Sequence, residues 1–187
     1  MRICCKANPI TALLLASLTA TAFAQRGYYR EPALAGSVLV FVSEGDLWQV
    51  SVQGGIASRL TTHSNPERGP VISADGKTVA IVGRYEGTSE LYTMPSHGGR
   101  PIRRTFGADS RIRVSGFAPD GQLLYVSRHR STLPNVQLFR LDLETGRSTR
   151  LPLLEASHGA IAGDGRTLFF TRFLHRQHTK RYVGGTA

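Results

Sequence analysis

From Val38 onward, short apolar runs alternate with clusters of Gly, Pro, Asp and Ser. Runs such as VLVFV (38–42), TVAIV (78–82) and LLYV (123–126) are rich in β-branched and aromatic side chains, which suit strands. Beyond the N-terminal segment, no window shows apolar residues recurring at helical spacing. The punctuation itself repeats. Asp-Gly pairs stand at Asp75-Gly76, Asp120-Gly121 and Asp164-Gly165, spaced 45 and 44 apart, each leading into a strand-like run closed by Arg. A second motif recurs as DLWQV (46–50), ELYTM (90–94) and QLFRL (137–141). A third follows as GGIASRLT (54–61), GGRPIRRT (98–105) and TGRSTRLP (145–152). Three motifs thus share one order and nearly one period.

Each unit of about 44 residues reads as four short antiparallel strands, with Asp-Gly supplying the tight turn between the first two. That predicts an all-β fold, a β-propeller of four-stranded blades. A β-sandwich also has short strands, but does not require three motifs to recur in step. The expected blades cover about 34–62, 68–106 and 112–152, with a partial one at 157–172. Only one strand, 38–43, is evident ahead of DLWQV, so the first blade's innermost strand reads as missing or atypical. About three and a half blades make an incomplete ring, since closure takes about four to eight. Residues 173–187 read as a basic connector into a missing blade. Trp48, Tyr92 and Phe139 hold one place in successive repeats and are expected to pack between blades; Phe169 and Phe170 are expected in blade core.

The N-terminus adds a different element. Arg2 and Lys6 precede an uncharged apolar stretch, Ile10 to Ala24, that ends in Ala22-Phe23-Ala24. A positive start, an apolar centre and an A-x-A site predict a signal-peptide helix over 1–24, with cleavage between Ala24 and Gln25. Both cysteines, Cys4 and Cys5, fall in the removed part, so the exported chain would carry neither disulfide nor thiol nucleophile. The expected location is periplasmic or secreted, with no membrane embedding after signal removal.

The chain of 187 residues has 23 Lys+Arg against 13 Asp+Glu, a net charge of +10. Such an excess favours acidic partners without defining a site. A cationic run spans Arg166 to Arg181, but its aromatics fall at blade positions, so nucleic acid is not expected as a partner. The candidate pore-rim contacts for acidic peptide C-termini are Arg172, Arg176, Lys180 and Arg181. Gly76-Lys77-Thr78 lacks the upstream Gly of a phosphate loop, and no Gly-x-Ser-x-Gly elbow occurs. His175 and His178 have no acidic residue after Asp164 to support metal binding. No catalytic residue, cofactor or metal site is expected.

The string APDGQLLYVSR…QLFRLDLETGRSTRL resembles the TolB-type repeat of TolB, prolyl-oligopeptidase propellers and tricorn proteases. Asp46-Leu47-Trp48, GG-x-x-x-RLT at Gly54 to Thr61, Tyr85-Glu86-Gly87 and the HTKRYVGGTA ending (178–187) narrow this to the opening of a bacterial tricorn protease homologue. The resemblance covers essentially the whole chain after the N-terminal segment. It implies a propeller that filters oligopeptides for a serine peptidase core whose catalytic residues lie further along the family's chains. The implied partners are peptides or the missing protease domains, with oligomers forming through unclosed blade edges. A non-enzymatic, TolB-like periplasmic propeller that binds proteins is the alternative. Family members are often cytoplasmic, so the export segment is a departure. Produced in a Gram-negative host, the soluble chain should begin at Gln25 on N-terminal sequencing; an intact Met1 would remove both the signal and the location.

Overall fold

The computed structural model describes residues 28–129, 131 and 135–172, and every regular element among them is a strand. Blade 1 contains β1 (Tyr29–Ala35), β2 (Val38–Ser43), β3 (Asp46–Ser51) and β4 (Ser58–Arg59). Blade 2 contains β5 (Arg68–Ile72), β6 (Thr78–Gly83), β7 (Glu90–Pro95) and β8 (Ile102–Arg103). Blade 3 contains β9 (Arg113–Phe117), β10 (Leu123–Ser127), β11 (Gln137–Leu141) and β12 (Ser148–Arg150). A fourth unit has β13 (His158–Ile161) and β14 (Leu168–Thr171). Each sheet is antiparallel in sequence order, and β1, β5, β9 and β13 neighbour one another in turn as the innermost strands. This is the expected propeller.

The middle strands are apolar without interruption because both faces of an interior blade are covered. Val79, Ile81, Tyr92 and Met94 of blade 2 pack with Val40, Val42 and Leu47 of blade 1. Their alternate neighbours Ala80, Val82 and Leu91 pack with Leu123, Tyr125, Phe139 and Leu141 of blade 3. Leu138 and Val126 face onward to Ala156 and Leu168. Each fully buried Leu, Ile or Phe contributes about 1.5–3 kcal/mol. Tyr92 and Phe139 are each 2% exposed, as an inter-blade position requires. Trp48 has no preceding blade among the described residues and is half-buried; its indole N–H donates to the Ser43 carbonyl at 3.3 Å, and Arg59 lies over its ring.

One expectation fails and another holds in one of its two forms. Blade 1's innermost strand is atypical rather than missing, and it starts at Tyr29, ahead of residue 34. Pro32 and the charged Arg30 and Glu31 disguise it. The chain accommodates them by a register shift between Arg30 and Ala33, with Glu31 at φ 51°. Phe169 and Phe170 are 64% and 44% exposed rather than core, because β14 pairs only with β13 and among the described residues no third strand covers it. Leu168 takes the inward place. The fourth unit nonetheless sits tightly on blade 3: a Cβ on Gly159 would lie 2.3 Å from Leu138 Cδ2, so a larger residue there would have to displace the buried Leu138 side chain.

A recurring clip ties the outer strands together. In blade 2 the buried Glu90 carboxylate pairs with Arg103 at 3.0 Å and accepts the Ala108 N–H at 2.7 Å and the Thr105 hydroxyl. Thr105 Oγ1 in turn accepts the Leu91 N–H at 2.9 Å, and Arg103 Nε donates to the Thr105 carbonyl at 2.8 Å. Blade 1 repeats the ion pair with Asp46 and Arg59 and the threonine cap with Thr61, whose Oγ1 accepts the Leu47 N–H at 2.9 Å and whose carbonyl accepts Arg59 Nε. Hence the spacing of Asp-Leu-Trp and Arg-Leu-Thr. In blade 3, Gln137 and Pro152 replace the acid and the threonine. Glu90→Ala takes the buried partner from Arg103 and the acceptor from two further donors, and should cost about 3 kcal/mol in urea unfolding. Gln137→Ala, at the position without the clip, should cost about 1 kcal/mol; equal losses at both sites would dismiss the clip.

Candidate functional site at the channel mouth

The inner strands all begin at one end of the propeller. The first residues of β5, β9 and β13 are Arg68, Arg113 and His158, and all three are exposed. Together with Glu31 of β1 they line a cavity of about 340 Å³. The Glu31 carboxylate accepts the Gly69 N–H, which ties blade 1 to blade 2 at this mouth. The antiparallel register brings the ends of the second strands to the same side. Arg84, Arg128 and Arg172 follow β6, β10 and β14 there, all exposed.

Local contacts keep these side chains in place. Arg84 Nε donates to the Gly87 carbonyl at 3.3 Å. Arg128 approaches the buried Asp109 at 3.8 Å. Asp109 accepts the Ser127 hydroxyl at 2.7 Å and the N–H groups of Arg128 and Arg111 at 2.6 and 2.9 Å. Burial alone would push its pKa upward, but these hydrogen bonds outweigh it and hold the carboxylate below its ordinary range. At the other end, the Asp-Gly turns place Asp75, Asp120 and Asp164, each accepting from the backbone two residues on. Gly76, Gly121 and Gly165 there have φ of 71°, 81° and 68°.

Just ahead of Arg68 lies Glu67, fully buried. Its Oε1 accepts the Tyr85 hydroxyl at 2.8 Å, while Oε2 has no partner. Burial raises its pKa, and the Tyr85 hydrogen bond offsets part of that rise.

Of the pore-rim residues expected from sequence, Arg172 lies at this end of the ring, one residue beyond the β14 pairing with His158. Arg176, Lys180 and Arg181, with the connector 173–187, lie outside the described residues, as do Ala22, Ala24, Gln25 and the segment 1–24. The sequence reading missed Arg68, Arg113 and His158. A signal was present, because the three stand 45 residues apart, each opening the first strand of a blade.

Fold and site together define an open-ended propeller with a cationic channel mouth. Residues 26–187 match the tricorn protease N-terminal beta propeller domain, and the chain belongs to that family. It is 32% identical over 163 residues to Tricorn protease homolog 1 of Streptomyces coelicolor, covering 86% of this chain and 15% of that protein. It is 26% identical over 142 residues to a Sulfurisphaera tokodaii protein designated a Tricorn-like protease N-terminal subunit, covering 74% of this chain and 73% of that one. Among solved structures, tricorn protease aligns with TM-score 0.66 at 22% identity, over 74% of this chain and 14% of that one. TolB from Acinetobacter baumannii aligns with TM-score 0.64 at 22% identity, over 78% and 38%.

The buried carboxyl beside this mouth has a measurable pH signature. A carboxyl whose pKa is higher folded than unfolded favours folding when protonated. Glu67 therefore helps most below its ordinary value of 4.5, and its contribution is lost as pH rises through the raised value. Glu67→Gln should match the unaltered chain near about pH 4 in urea midpoint and exceed it near about pH 7. A pH-independent difference would contradict the assignment.

Proposed function

We propose that this chain is the N-terminal, substrate-gating propeller of a tricorn-like serine protease that degrades oligopeptides, the catalytic core lying outside these 187 residues. Family membership supports the propeller part of that reading. The observation that carries the gating role is the set Arg68, Arg113 and His158, one from each of three inner strands around a shared cavity. Arg84, Arg128 and Arg172 surround it and extend the positive field. Glu31 also lines the cavity, but its carboxylate is engaged by the Gly69 N–H, and the surplus of basic side chains around it concentrates acidic ligands and speeds their capture. The ligands favoured here are acidic peptides and the carboxylates of peptide C-termini. Arg176, Lys180 and Arg181 are proposed to add to the same rim.

The partners in this reading are peptides and the protease domains. The Sulfurisphaera tokodaii relative, designated an N-terminal subunit, supports a propeller that works with protease domains on another chain. The segment 1–24 supports delivery to the periplasm or exterior. The TolB likeness supports a second reading, a propeller that binds proteins without catalysis.

Fluorescence anisotropy with an acidic decapeptide and a neutral one separates charge gating from general stickiness. The acidic peptide should bind more tightly, and raising salt from about 20 to 300 mM should erase most of the difference. Arg68→Glu with Arg113→Glu should weaken acidic-peptide binding about tenfold at low salt and leave the neutral peptide unchanged. Unaltered acidic-peptide binding in that variant would end the gating proposal. The same chain should not label with a serine-directed fluorophosphonate; stoichiometric labelling would reveal a nucleophile within it.

A further inference from the structure

Two clefts of one design run between successive blades, and they differ in chemistry. Between blades 2 and 3 the lining includes Thr105, Phe106, Gly107, His129, Phe139 and Ser148. Between blades 1 and 2 it includes Thr61, Thr62, His63, Tyr85, Tyr92 and Pro101. The cleft between blades 1 and 2 is also the larger, about 440 Å³ against about 210 Å³.

The polar groups of the two clefts differ most at one position. In the blade 2–3 cleft the Tyr125 hydroxyl and Ser148 Oγ share a hydrogen bond of 2.5 Å, and Phe139 has no polar group to satisfy. In the blade 1–2 cleft Tyr92 occupies the place of Phe139. It is 2% exposed, and its hydroxyl has no hydrogen-bond partner. The Glu86 backbone N–H is directed at this oxygen, which leaves the hydroxyl proton itself without an acceptor. Phenylalanine would meet the packing demand, as it does one blade later. The added hydroxyl is a buried donor left for something else.

The surroundings limit what that something is. Tyr85 stands edge-on to Tyr92 at 4.6 Å, and His63 edge-on to Tyr85 at 4.8 Å, while Leu60 and Pro101 add apolar surface. Glu86 and Arg100 bring charges of opposite sign to the exposed rim, so the cleft favours neither anions nor cations. Burial raises the Tyr92 pKa, which keeps the hydroxyl protonated and a donor. Glu86, Arg103 and the buried Glu90 are the charged groups that face it; Arg103 stays held by Glu90, while its pairing with Glu86 lies at the surface, where the Glu86 side chain is 62% exposed. A pair of that kind yields easily to an incoming ligand.

We propose that the cleft between blades 1 and 2 binds a short peptide segment, whose backbone carbonyl accepts the Tyr92 hydroxyl and whose aliphatic side chain lies against Tyr85 between Leu60 and Pro101. An uncharged acceptor next to an aliphatic group is what a peptide unit presents. No residue of the channel mouth lines this cleft, so the inference stands apart from the gating proposal.

The test is a titration of the full chain, carrying ring-labelled tyrosine, with N-acetylleucine amide, followed by NMR. Saturable shifts of the Tyr92 and Tyr85 ring signals are expected. Tyr92→Phe should fold, since Phe139 fills the equivalent place, and should bind roughly three- to tenfold more weakly. Thr62→Phe, which copies Phe106 into this cleft, should weaken binding by narrowing the mouth. Non-saturating shifts, unchanged affinity in both variants, or an equal response to isoamyl alcohol would each overturn the proposal. That alcohol carries the same aliphatic group and no peptide carbonyl.

Discussion

Every other feature of this propeller depends on the face-to-face contact between consecutive blades. A four-stranded antiparallel sheet standing alone would expose both of its apolar faces. Here Val79 and Ile81 reach back to blade 1 while Ala80 and Val82 reach forward to blade 3, within a single strand. Stability is then a sum over neighbouring interfaces, as in other repeat architectures. The inner strands are held side by side by the same contact, which brings Arg68, Arg113 and His158 around one cavity. Site geometry here is a by-product of core packing.

The two end units show the cost of lacking a neighbour among the described residues. Trp48 remains half-buried although Tyr92 and Phe139 at its sibling positions are covered. Phe169 and Phe170 stand in solvent beside an open strand edge. Open edges with apolar side chains recruit further strands. The Gly159–Leu138 approach shows that the fourth unit is seated on blade 3 in the same way as the blades before it.

The legible part of the fold was what the period multiplies. Asp-Gly turns, apolar second strands and the aromatic of the third strand each occur three times, so each repeat corroborates the others. β1 escaped because it is a single copy with Pro32 and two charges, and its irregular register leaves no alternation to read. The clip was visible as motifs, but its reason was not. Only the structure shows that Thr105 Oγ1 caps the Leu91 amide while its own hydroxyl proton goes to Glu90. The channel-mouth set was missed for a related reason. Cation density along the chain points to Arg172 and the residues after it, whereas Arg68, Arg113 and His158 are isolated in sequence and converge only through strand geometry.

In a repeat protein, sibling positions act as an internal control. Where blades 1 and 2 agree and blade 3 departs, as with Asp46, Glu90 and Gln137, a role in outer-strand bracing has been relaxed, and Gln137 Oε1 is left without a partner. Where one cleft has Phe139 and its sibling has Tyr92, packing is common to both and cannot explain the hydroxyl. Where Arg68, Arg113 and His158 keep basic or titratable character at the start of three strands, no shared core contact demands it, because all three are exposed. Subtracting what the architecture requires leaves a small remainder. That remainder lies at the channel mouth and in the cleft between blades 1 and 2, and in neither place does the fold itself account for it.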